Sequence, residues 1–399
     1  MNILLNFYPL TVLAIFSSFY IFVLSIHFPY VYPRIKLEAK SKGDAGEPLI
    51  LTPYIEKGNI EQGQNLSRVS ITEKIGITSH AGFLTVDSKY NSNLYFWYFP
   101  TFDKNRNAPV VLWLQGGPGG SSLFGLFTEN GPLMVKKSGF VTRKYHWALR
   151  YNLLFIDNPV GTGFSFTNDD IGYCEDEQCV SKGLYNALQQ FFKLFPRLQS
   201  NDFYITGESY AGKYIPSLAM EIHKDNVISK QKINLKGMAL GNAYCDPVTQ
   251  MDYDATDMDM YINLLNNDQI RRSVHVGGLP FHSGKEVEIH LAYDILKSVA
   301  SYVAELLSHY RLLFYNGQLD IIVAYPLTEN FLWSLNFSSA NEYKKASRKI
   351  WKVQNDLAGY VKKAGNLTEV MVRNAGHMVP HDQPKWAYDL ITKFISNKL

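Results

Sequence analysis

The sequence is poor in charged residues, and this shortage excludes two classes of protein. Charged residues make up 19% of the 399 residues and hydrophobic residues 46%. Disordered chains need the opposite balance, so we expect a large folded core, in one large domain or two modest ones. The formal net charge of +3 is spread along the chain without a basic tract. Nucleic-acid binding therefore has no electrostatic signature here.

Cysteine is also scarce, with residues only at Cys174, Cys179 and Cys245. Cys174 and Cys179 flank a short loop and could pair, which would leave Cys245 free; alternatively, Cys245 is joined to one of them. No histidine lies at ligand spacing beside these cysteines, so the sequence indicates no zinc site. We expect neither a metal nor an organic cofactor.

Acidic residues are absent from residues 1–34, and apart from His27 the first basic residue there is Arg34. The apolar run from Leu10 to Phe28 has the length of a signal peptide and approaches that of a membrane span. The Lys or Arg residues that usually precede such a run are missing. We interpret residues 1–34 as a secretory signal peptide, with an uncleaved membrane anchor as the alternative.

Three N-glycosylation triplets agree with the secretory route, although such triplets are common by chance. They begin at Asn65, Asn336 and Asn366. We therefore expect a glycoprotein of the secretory pathway, either secreted or lysosomal. Association with a membrane is expected only if the N-terminal segment stays uncleaved.

Short apolar runs alternate with amphipathic stretches along most of the chain. Continuous apolar runs of this length are typical of strands buried on both faces. The alternation predicts an α/β fold with a mostly parallel sheet and helices on both faces. The predicted strands are 76–87, 93–100, 110–115, 153–157, 203–207, 236–241, 311–317 and 369–374, and the predicted helices are 180–195, 210–224, 346–363 and 383–399.

The run FYITGESYAGKYIPSLA (203–219) passes from a strand to a helix through a serine. So sharp a turn needs small residues on both sides of Ser209, and Gly207 and Ala211 supply them, although the usual pattern has glycine at both. A serine nucleophile needs a base, and the base needs an acid to orient it. Asp320 and His377 follow in the required order, each after a predicted strand, although either alone would more often be a turn cap or a loop histidine.

The glycine-rich run LQGGPGGSS (114–122) follows another predicted strand. Its backbone can approach a ligand closely and offer N–H donors to a developing oxyanion. One donor is expected from Tyr210, the residue after the nucleophile, and the other from this loop. A phosphate-binding loop is disfavoured because the Gly-Lys-Ser/Thr ending is absent.

Five ordered motifs resemble those of the serine carboxypeptidases of the α/β-hydrolase fold, in particular the vitellogenic carboxypeptidase-like branch. They are WLQGGPGGSS, IDNPVGTGFSF, GESYAGKYIP, NGQLDIIV and NAGHMVP, and the resemblance runs from about Gly82 to the C-terminus. It implies a triad of Ser209, Asp320 and His377, with oxyanion donors at the N–H groups of Gly117 and Tyr210. It also implies that Gln115, Gly116, Glu208 and Glu129 hold the terminal carboxylate of a peptide.

The two glutamates carry a physical consequence of their own. A carboxylate accepts another carboxylate only when one of them is protonated, so Glu208 and Glu129 should share a proton and titrate at a raised pKa. The protonated acid then donates a hydrogen bond to the substrate terminus. We expect an exopeptidase that works at acid pH on the C-termini of peptides or proteins. Met378 is expected to line the pocket for the departing residue.

The chain departs from the family between Ser209 and Asp320, where family members carry a longer, mostly helical cap. We expect one hydrolase domain over 35–399 with the cap truncated around 246–285, where DYDATDMDMYINLL (252–265) would form a short helix. The result could be a working enzyme of loose specificity, a poorly folding product, or a chain that omits a segment. The alternatives to a carboxypeptidase are an acyltransferase or esterase on the same fold, and a cap-deleted, inactive binding protein.

Overall fold

In the computed structural model, the described residues are 44–136, 139–250, 265 and 267–399. The expected signal peptide or anchor at 1–34 lies outside this part of the chain. So does the expected short helix at 252–265, except for its last residue. Among the described residues, no helix is both long enough and apolar enough to cross a bilayer.

The strands follow the apolar runs of the sequence, and most of them form one large sheet. They are β1 (His80–Asp87), β2 (Ser92–Phe99), β3 (Val110–Leu114), β4 (Leu133–Lys136), β5 (Gly139–Thr142), β6 (Asn152–Ile156), β7 (Thr162–Gly163), β8 (Phe203–Glu208), β9 (Leu235–Gly241), β10 (His282–Ser283), β11 (Arg311–Gly317), β12 (Lys349–Val353), β13 (Asp356–Ala364) and β14 (Leu367–Val372).

The order of the described strands in the large sheet is β1-β2-β6-β3-β8-β9-β11-β14-β13-β12. The run from β6 to β14 is parallel throughout. Antiparallel strands close both edges, β1 and β2 on one side and β13 and β12 on the other. The expected parallel sheet is thus confirmed for the centre, which is the part that receives the site.

The helices begin and end as follows, with short 3₁₀ turns between them. They are α1 (Thr52–Glu56), α2 (Ile60–Leu66), α3 (Ser70–Glu73), α4 (Ser122–Phe124), α5 (Glu177–Leu194), α6 (Ala211–Asp225), α7 (Pro247–Gln250), α8 (Asp268–Ser273), α9 (Lys285–His290), α10 (Ala300–Leu306), α11 (Tyr325–Ser334), α12 (Ala340–Lys345), α13 (Val379–Asp382) and α14 (Pro384–Ile395), and a π-helical turn at Gly125–Glu129 follows α4.

Successive residues of the central strands face opposite sides of the sheet, and both sides are covered. In β3, Leu112 packs into the core that α5 and α6 share, whereas Trp113 packs into the core that contains α14. Every residue of β3 is buried. Burial on both faces explains why the strand reads as a continuous apolar run rather than an alternating one.

The prediction of a helix over 346–363 is wrong, because this stretch forms the hairpin of β12 and β13. In β12 the last four residues alternate between exposed and buried, and Trp351 and Val353 are buried. Gln354, with a φ of 56°, lies at the turn between the two strands. The stretch contains β-branched and aromatic residues, and pairing with the neighbouring strands outweighed its local helical spacing.

Part of the expected truncated cap is described and consists of short elements. After α7 the described chain resumes with α8, whose Arg271 is buried and donates to the carbonyls of Gly277 and Leu279. β10 pairs with β7, and Gly284 packs against Gly119 of the glycine-rich loop. The segment that follows α8 therefore rests directly on the glycine-rich loop.

Candidate active site

Ser209 occupies the turn between β8 and α6 with a φ of 60°. This left-handed backbone is uncommon for a residue other than glycine and is explained here by the sharp turn. The residue is buried. The Ser209 N–H donates to the Gly241 carbonyl at 3.0 Å. The Ser209 carbonyl accepts from the backbone N–H groups of Gly212 and Tyr244, both at 2.9 Å. A Cβ on Gly207 would lie 2.2 Å from the Leu114 carbonyl oxygen, so glycine is required there.

Asp320 and His377 form a buried pair at the same edge of the sheet. Asp320 follows β11, His377 follows β14, and these strands are neighbours. His377 Nδ1 donates to Asp320 Oδ2 over 3.0 Å. Burial raises the pKa of the Asp320 carboxyl, but the charge and hydrogen bond of His377, with the N–H groups of Asn242 and Ile322, hold it below its ordinary value. The carboxylate therefore stays charged beside the imidazole.

The second ring nitrogen of His377, Nε2, is not used in the contact with Asp320. Ser209 Oγ and His377 Nε2 are both buried, and neither makes a hydrogen bond with another described residue. The two atoms that a proton transfer would use therefore have no competing partner among the described residues. The sequence motifs meet because β8, β9, β11 and β14 are consecutive in the sheet.

The glycine-rich loop lies against the serine turn. A Cβ on Gly116 would come within 2.5 Å of Tyr210 N and 2.7 Å of Ser209 Cβ, so the two backbones are in direct contact. Gly117 adopts a φ of 119°, which favours glycine. The Gly120 N–H donates to the Gly116 carbonyl at 2.8 Å and closes the loop. Gly117 therefore follows directly after the glycine that contacts Tyr210.

The loop is held in place by Asp157, which the sequence reading did not single out. Asp157 Oδ1 accepts from Ser121 Oγ at 2.6 Å and from Ser122 N at 3.0 Å, and Oδ2 accepts from Phe164 N at 2.9 Å. Burial raises the pKa of the Asp157 carboxyl to about 6. The hydrogen bonds from these donors lower the pKa, but burial has the larger effect. The motif IDNPVGTGFSF contained the signal, an aspartate directly after a buried strand.

Asn242 is a second residue that the sequence reading missed. It follows β9 with a φ of 44°, and its Nδ2 donates to Asp320 Oδ2 at 2.6 Å. Its N–H donates to the Tyr315 carbonyl at 2.8 Å. An asparagine directly after a strand in the parallel series was the available signal, since asparagine tolerates left-handed backbone.

A buried amide and two carboxyl groups lie beside the serine. Gln115 Nε2 donates to Glu129 Oε1 at 3.0 Å and to Glu208 Oε1 at 2.8 Å, while Trp113 Nε1 donates to Gln115 Oε1 at 2.7 Å. All four side chains are buried. The predicted neighbours Gln115, Glu129 and Glu208 are thus brought together, and the tryptophan fixes which way the amide points.

Burial raises the pKa of the Glu129 carboxyl, and the hydrogen bonds from Glu208 and Gln115 oppose that rise. A hydrogen bond between two carboxyl groups needs a proton on one of them. The same two glutamates also contribute, after burial, to raising the pKa of the nearby Tyr315 hydroxyl. Burial therefore disfavours a negative charge on Glu129.

The structure also describes Met378 and the three asparagines of the glycosylation triplets. Met378 follows His377 and is half-buried. Asn65 and Asn336 are exposed, whereas Asn366 is half-buried and its Nδ2 donates to the Leu307 carbonyl at 2.9 Å.

The cysteine alternatives resolve into one bridge. Cys174 and Cys179 are joined by a disulfide, and Cys245 is buried and takes part in none. The bridge fastens the loop before α5 to the first turn of that helix.

The mixed sheet with a parallel centre and the serine turn at its carboxyl edge define an α/β hydrolase. The chain belongs to the serine carboxypeptidase family, whose sequence profile matches residues 70–258 and 249–397. The two matched pieces meet at residues 249–258, within the interval where the truncated cap is predicted. The resemblance drawn from the motifs is confirmed, and the chain is a serine carboxypeptidase by family.

The individual relatives agree with this assignment. The chain is 46% identical to the venom serine carboxypeptidase of Apis mellifera over 93% of its own length and 96% of that protein's. It is 42% identical to the vitellogenic carboxypeptidase of Aedes aegypti over 88% and 90% of the two chains. The alignment with the bee protein extends over 447 positions, more than the 399 residues of this chain, so that relative carries residues without a counterpart here.

A solved structure shares the fold. It is that of the Kex1 carboxypeptidase of Saccharomyces cerevisiae, described as prohormone-processing, with a TM-score of 0.70 and 24% identity, covering 80% of this chain and 92% of that one. At this identity the likeness supports the α/β-hydrolase fold alone.

Proposed function

We propose that this protein removes C-terminal residues from peptides and proteins through an acyl-enzyme on Ser209. His377 Nε2 takes the serine proton, Ser209 Oγ attacks the last peptide carbonyl, and the C–N bond breaks as the imidazolium returns the proton to the departing amine. Asp320 holds the imidazole and balances its charge. A water molecule, deprotonated by the same nitrogen, then releases the shortened peptide.

The developing negative charge on the carbonyl oxygen needs donors that are already in place. We assign these to the N–H groups of Gly117 and Tyr210. The support is the contact between Gly116 and the serine turn, together with the loop anchor at Asp157. Both donors lie on backbone that is fixed at two points, so little reorganisation accompanies the reaction.

The observation that carries the exopeptidase assignment is the buried group of Gln115, Glu129 and Glu208 beside Ser209. Glu208 precedes the nucleophile directly, so whatever it binds lies next to the scissile bond. A protonated carboxyl and an amide are donors suited to the free carboxylate of a peptide end. These donors argue against an esterase or acyltransferase on the same fold, because they suit a terminal carboxylate.

An acid working range follows from the same residues. The raised pKa of Glu129 keeps a proton in the pair at acid pH, and that proton is lost as the pH rises. The substrate carboxylate then meets a second negative charge in a buried site. Binding should therefore weaken toward alkaline pH, as a rise in KM before any fall in kcat.

The test compares one peptide with a free C-terminus and the same peptide amidated. We expect the free acid to lose residues one at a time at acid pH, read by mass spectrometry, and the amide to be nearly inert. Ser209→Ala should lower kcat by about 10⁴-fold or more. Equal cleavage of both peptides would show that the free carboxylate is not recognised and would overturn the exopeptidase assignment. Failure of Ser209 to react with a fluorophosphonate probe would favour the inactive binding protein.

We further propose that the protein travels the secretory pathway, as a secreted or lysosomal glycoprotein. The Cys174–Cys179 bridge supports an oxidising compartment. The relatives named for venom and for vitellogenesis point the same way. Asn65 and Asn336 are the better acceptors, because the amide of Asn366 is already engaged. Enzymatic removal of N-glycans should shift the mass of the secreted protein by two glycans.

The shortened cap is the remaining part of the proposal. We take 35–399 as one domain with the cap truncated around 246–285, so that the mouth of the site is more open than in longer relatives. A cap supplies part of the pocket for the penultimate side chain, and its loss should loosen specificity. The spread of cleavage rates over a set of peptides differing only in that residue measures this directly.

A further inference from the structure

Two histidines and a glutamate converge on the surface of the molecule, at the opposite end of α6 from the serine. His223 lies in the last turn of α6, Glu305 in α10 and His309 just after α10. One ligand atom from each lies within 4.8 Å of the others. The imidazole rings of His223 and His309 are 4.4 Å apart, centre to centre. We propose that these three side chains bind a divalent transition-metal ion, and we infer Zn²⁺ as the ion suited to them.

The chemistry of the donors selects the ion. Two imidazole nitrogens and one carboxylate form a ligand set used by zinc, whereas Mg²⁺ and Ca²⁺ prefer oxygen alone. Zinc–ligand distances of about 2.0–2.2 Å place neighbouring ligand atoms of a tetrahedron about 3.4 Å apart. The three donors need to move inward by only about 1 Å, which small rotations of half-buried and exposed side chains provide.

The local structure holds the donors on one face. Glu305 and His309 are four residues apart, and the Tyr310 N–H still donates to the Leu306 carbonyl at 2.8 Å, so a helical turn continues through this stretch. Residues at this spacing share a helix face. His309 Nε2 already contacts Glu305 Oε1 at 3.1 Å. A metal ion would replace the proton between them.

The third ligand has an oriented ring. His223 Nδ1 contacts the Tyr310 hydroxyl at 3.0 Å, which leaves Nε2 for the metal. Ligating histidines commonly engage their second nitrogen in this way, and the contact sets tautomer and ring orientation. Lys224 is the cation next in sequence, and its Nζ lies over the Tyr302 ring instead, 5.9 Å from the centroid.

The ion would join α6 to α10 and leave a position for water. The ion would therefore link two elements structurally: α6, which begins after Ser209, and the segment that follows the truncated cap. Protons compete with metal for both imidazoles, so binding should weaken at acid pH. This inference does not depend on the proposed peptidase activity, because its readouts are binding and thermal stability.

The experiment titrates ZnCl₂ into the full chain, freed of metal by dialysis against EDTA at near-neutral pH, in a calorimeter. We expect one ion per chain, and affinity at least about tenfold weaker in His309→Ala and in His223→Ala. His290→Ala is the matched control, since His290 contacts Asp170 at 3.2 Å but belongs to no group of three possible ligands among the described residues. Its affinity should match that of the unchanged protein.

A second measurement, the Tm, distinguishes loss of Zn²⁺ binding from misfolding of a variant. Zn²⁺ should raise the Tm of the unchanged protein and of His290→Ala but not that of His309→Ala, while all three keep the same Tm in EDTA. Tyr310→Phe should retain binding at reduced affinity. Equal Zn²⁺ affinity in the unchanged protein and both histidine variants would overturn the proposal, as would the absence of binding at near-neutral pH.

Discussion

Asn242 donates its side-chain amide to Asp320 Oδ2 over 2.6 Å, and this oxygen also accepts the Nδ1–H of His377. The asparagine therefore fixes the carboxylate that fixes the imidazole. Its strand, β9, lies between β8, which leads to Ser209, and β11, which leads to Asp320. Asp320 is thus positioned by Asn242, which follows β9, and β9 leads to none of the three triad residues.

We predict that Asn242→Gly lowers kcat by about 10- to 100-fold and changes KM little, since one charge-assisted hydrogen bond of about 1.5–3 kcal/mol is lost. Glycine keeps the left-handed backbone, so the turn survives. The pH dependence of kcat should also change, because a donor that lowers the pKa of Asp320 is gone. A variant with lower kcat but an unchanged pH profile would assign Asn242 a purely structural role.

We predict that Glu208→Gln and Glu129→Gln each flatten the pH dependence of KM for a peptide with a free C-terminus. Glutamine offers an N–H donor at every pH, whereas the glutamate pair offers a proton only below its raised pKa. KM of the unchanged enzyme should rise with pH through that pKa, and KM of either variant should not. Glu61→Gln, on exposed α2, is the control. A rise in KM of equal slope in all proteins would contradict the shared-proton mechanism.

We predict that Gly116→Ala lowers kcat by about 10²–10³-fold without unfolding the protein. The added Cβ would lie 2.5 Å from Tyr210 N and 2.7 Å from Ser209 Cβ, so the loop must retreat from the serine turn. A displaced oxyanion donor costs about 10²–10³ in kcat. Gly278→Ala is the matched control, because its Cβ would meet no atom within 4 Å. Circular dichroism and kcat of the two variants decide the matter.

We predict that the protein loses stability as the pH rises from about 4.5 to about 8. Burial raises the pKa of the Glu177 carboxyl to about 8, although Lys213 opposes the shift. In this range the unfolded chain releases the proton and the folded chain keeps it, so ionisation favours unfolding by up to about 1.4 kcal/mol per pH unit. Urea unfolding at several pH values measures the slope. Glu177→Gln should reduce it, and an unchanged slope would assign the loss to other groups.

The residues of the proposed site could be named from the sequence because their signals are local. Ser209 is marked by small neighbours on a strand-to-helix turn, and Asp320 and His377 by their places after strands. The glutamine and glutamates beside the serine came from the family resemblance. What local signals could not provide is the set of contacts that hold these groups. Asn242 and Asp157 act through hydrogen bonds to partners 78 and 36 residues away.

The sequence by itself determined the buried strands, because a strand covered on both faces must be apolar throughout. It also determined the order of the motifs, because each lies within a few residues of a strand end. Only the tertiary structure decided that 346–363 pairs as the last two strands at one side of the sheet, since that choice depends on neighbours rather than on spacing. It alone decided that His223 meets Glu305 and His309, because helix packing, and no local pattern, brings them within reach of one ion.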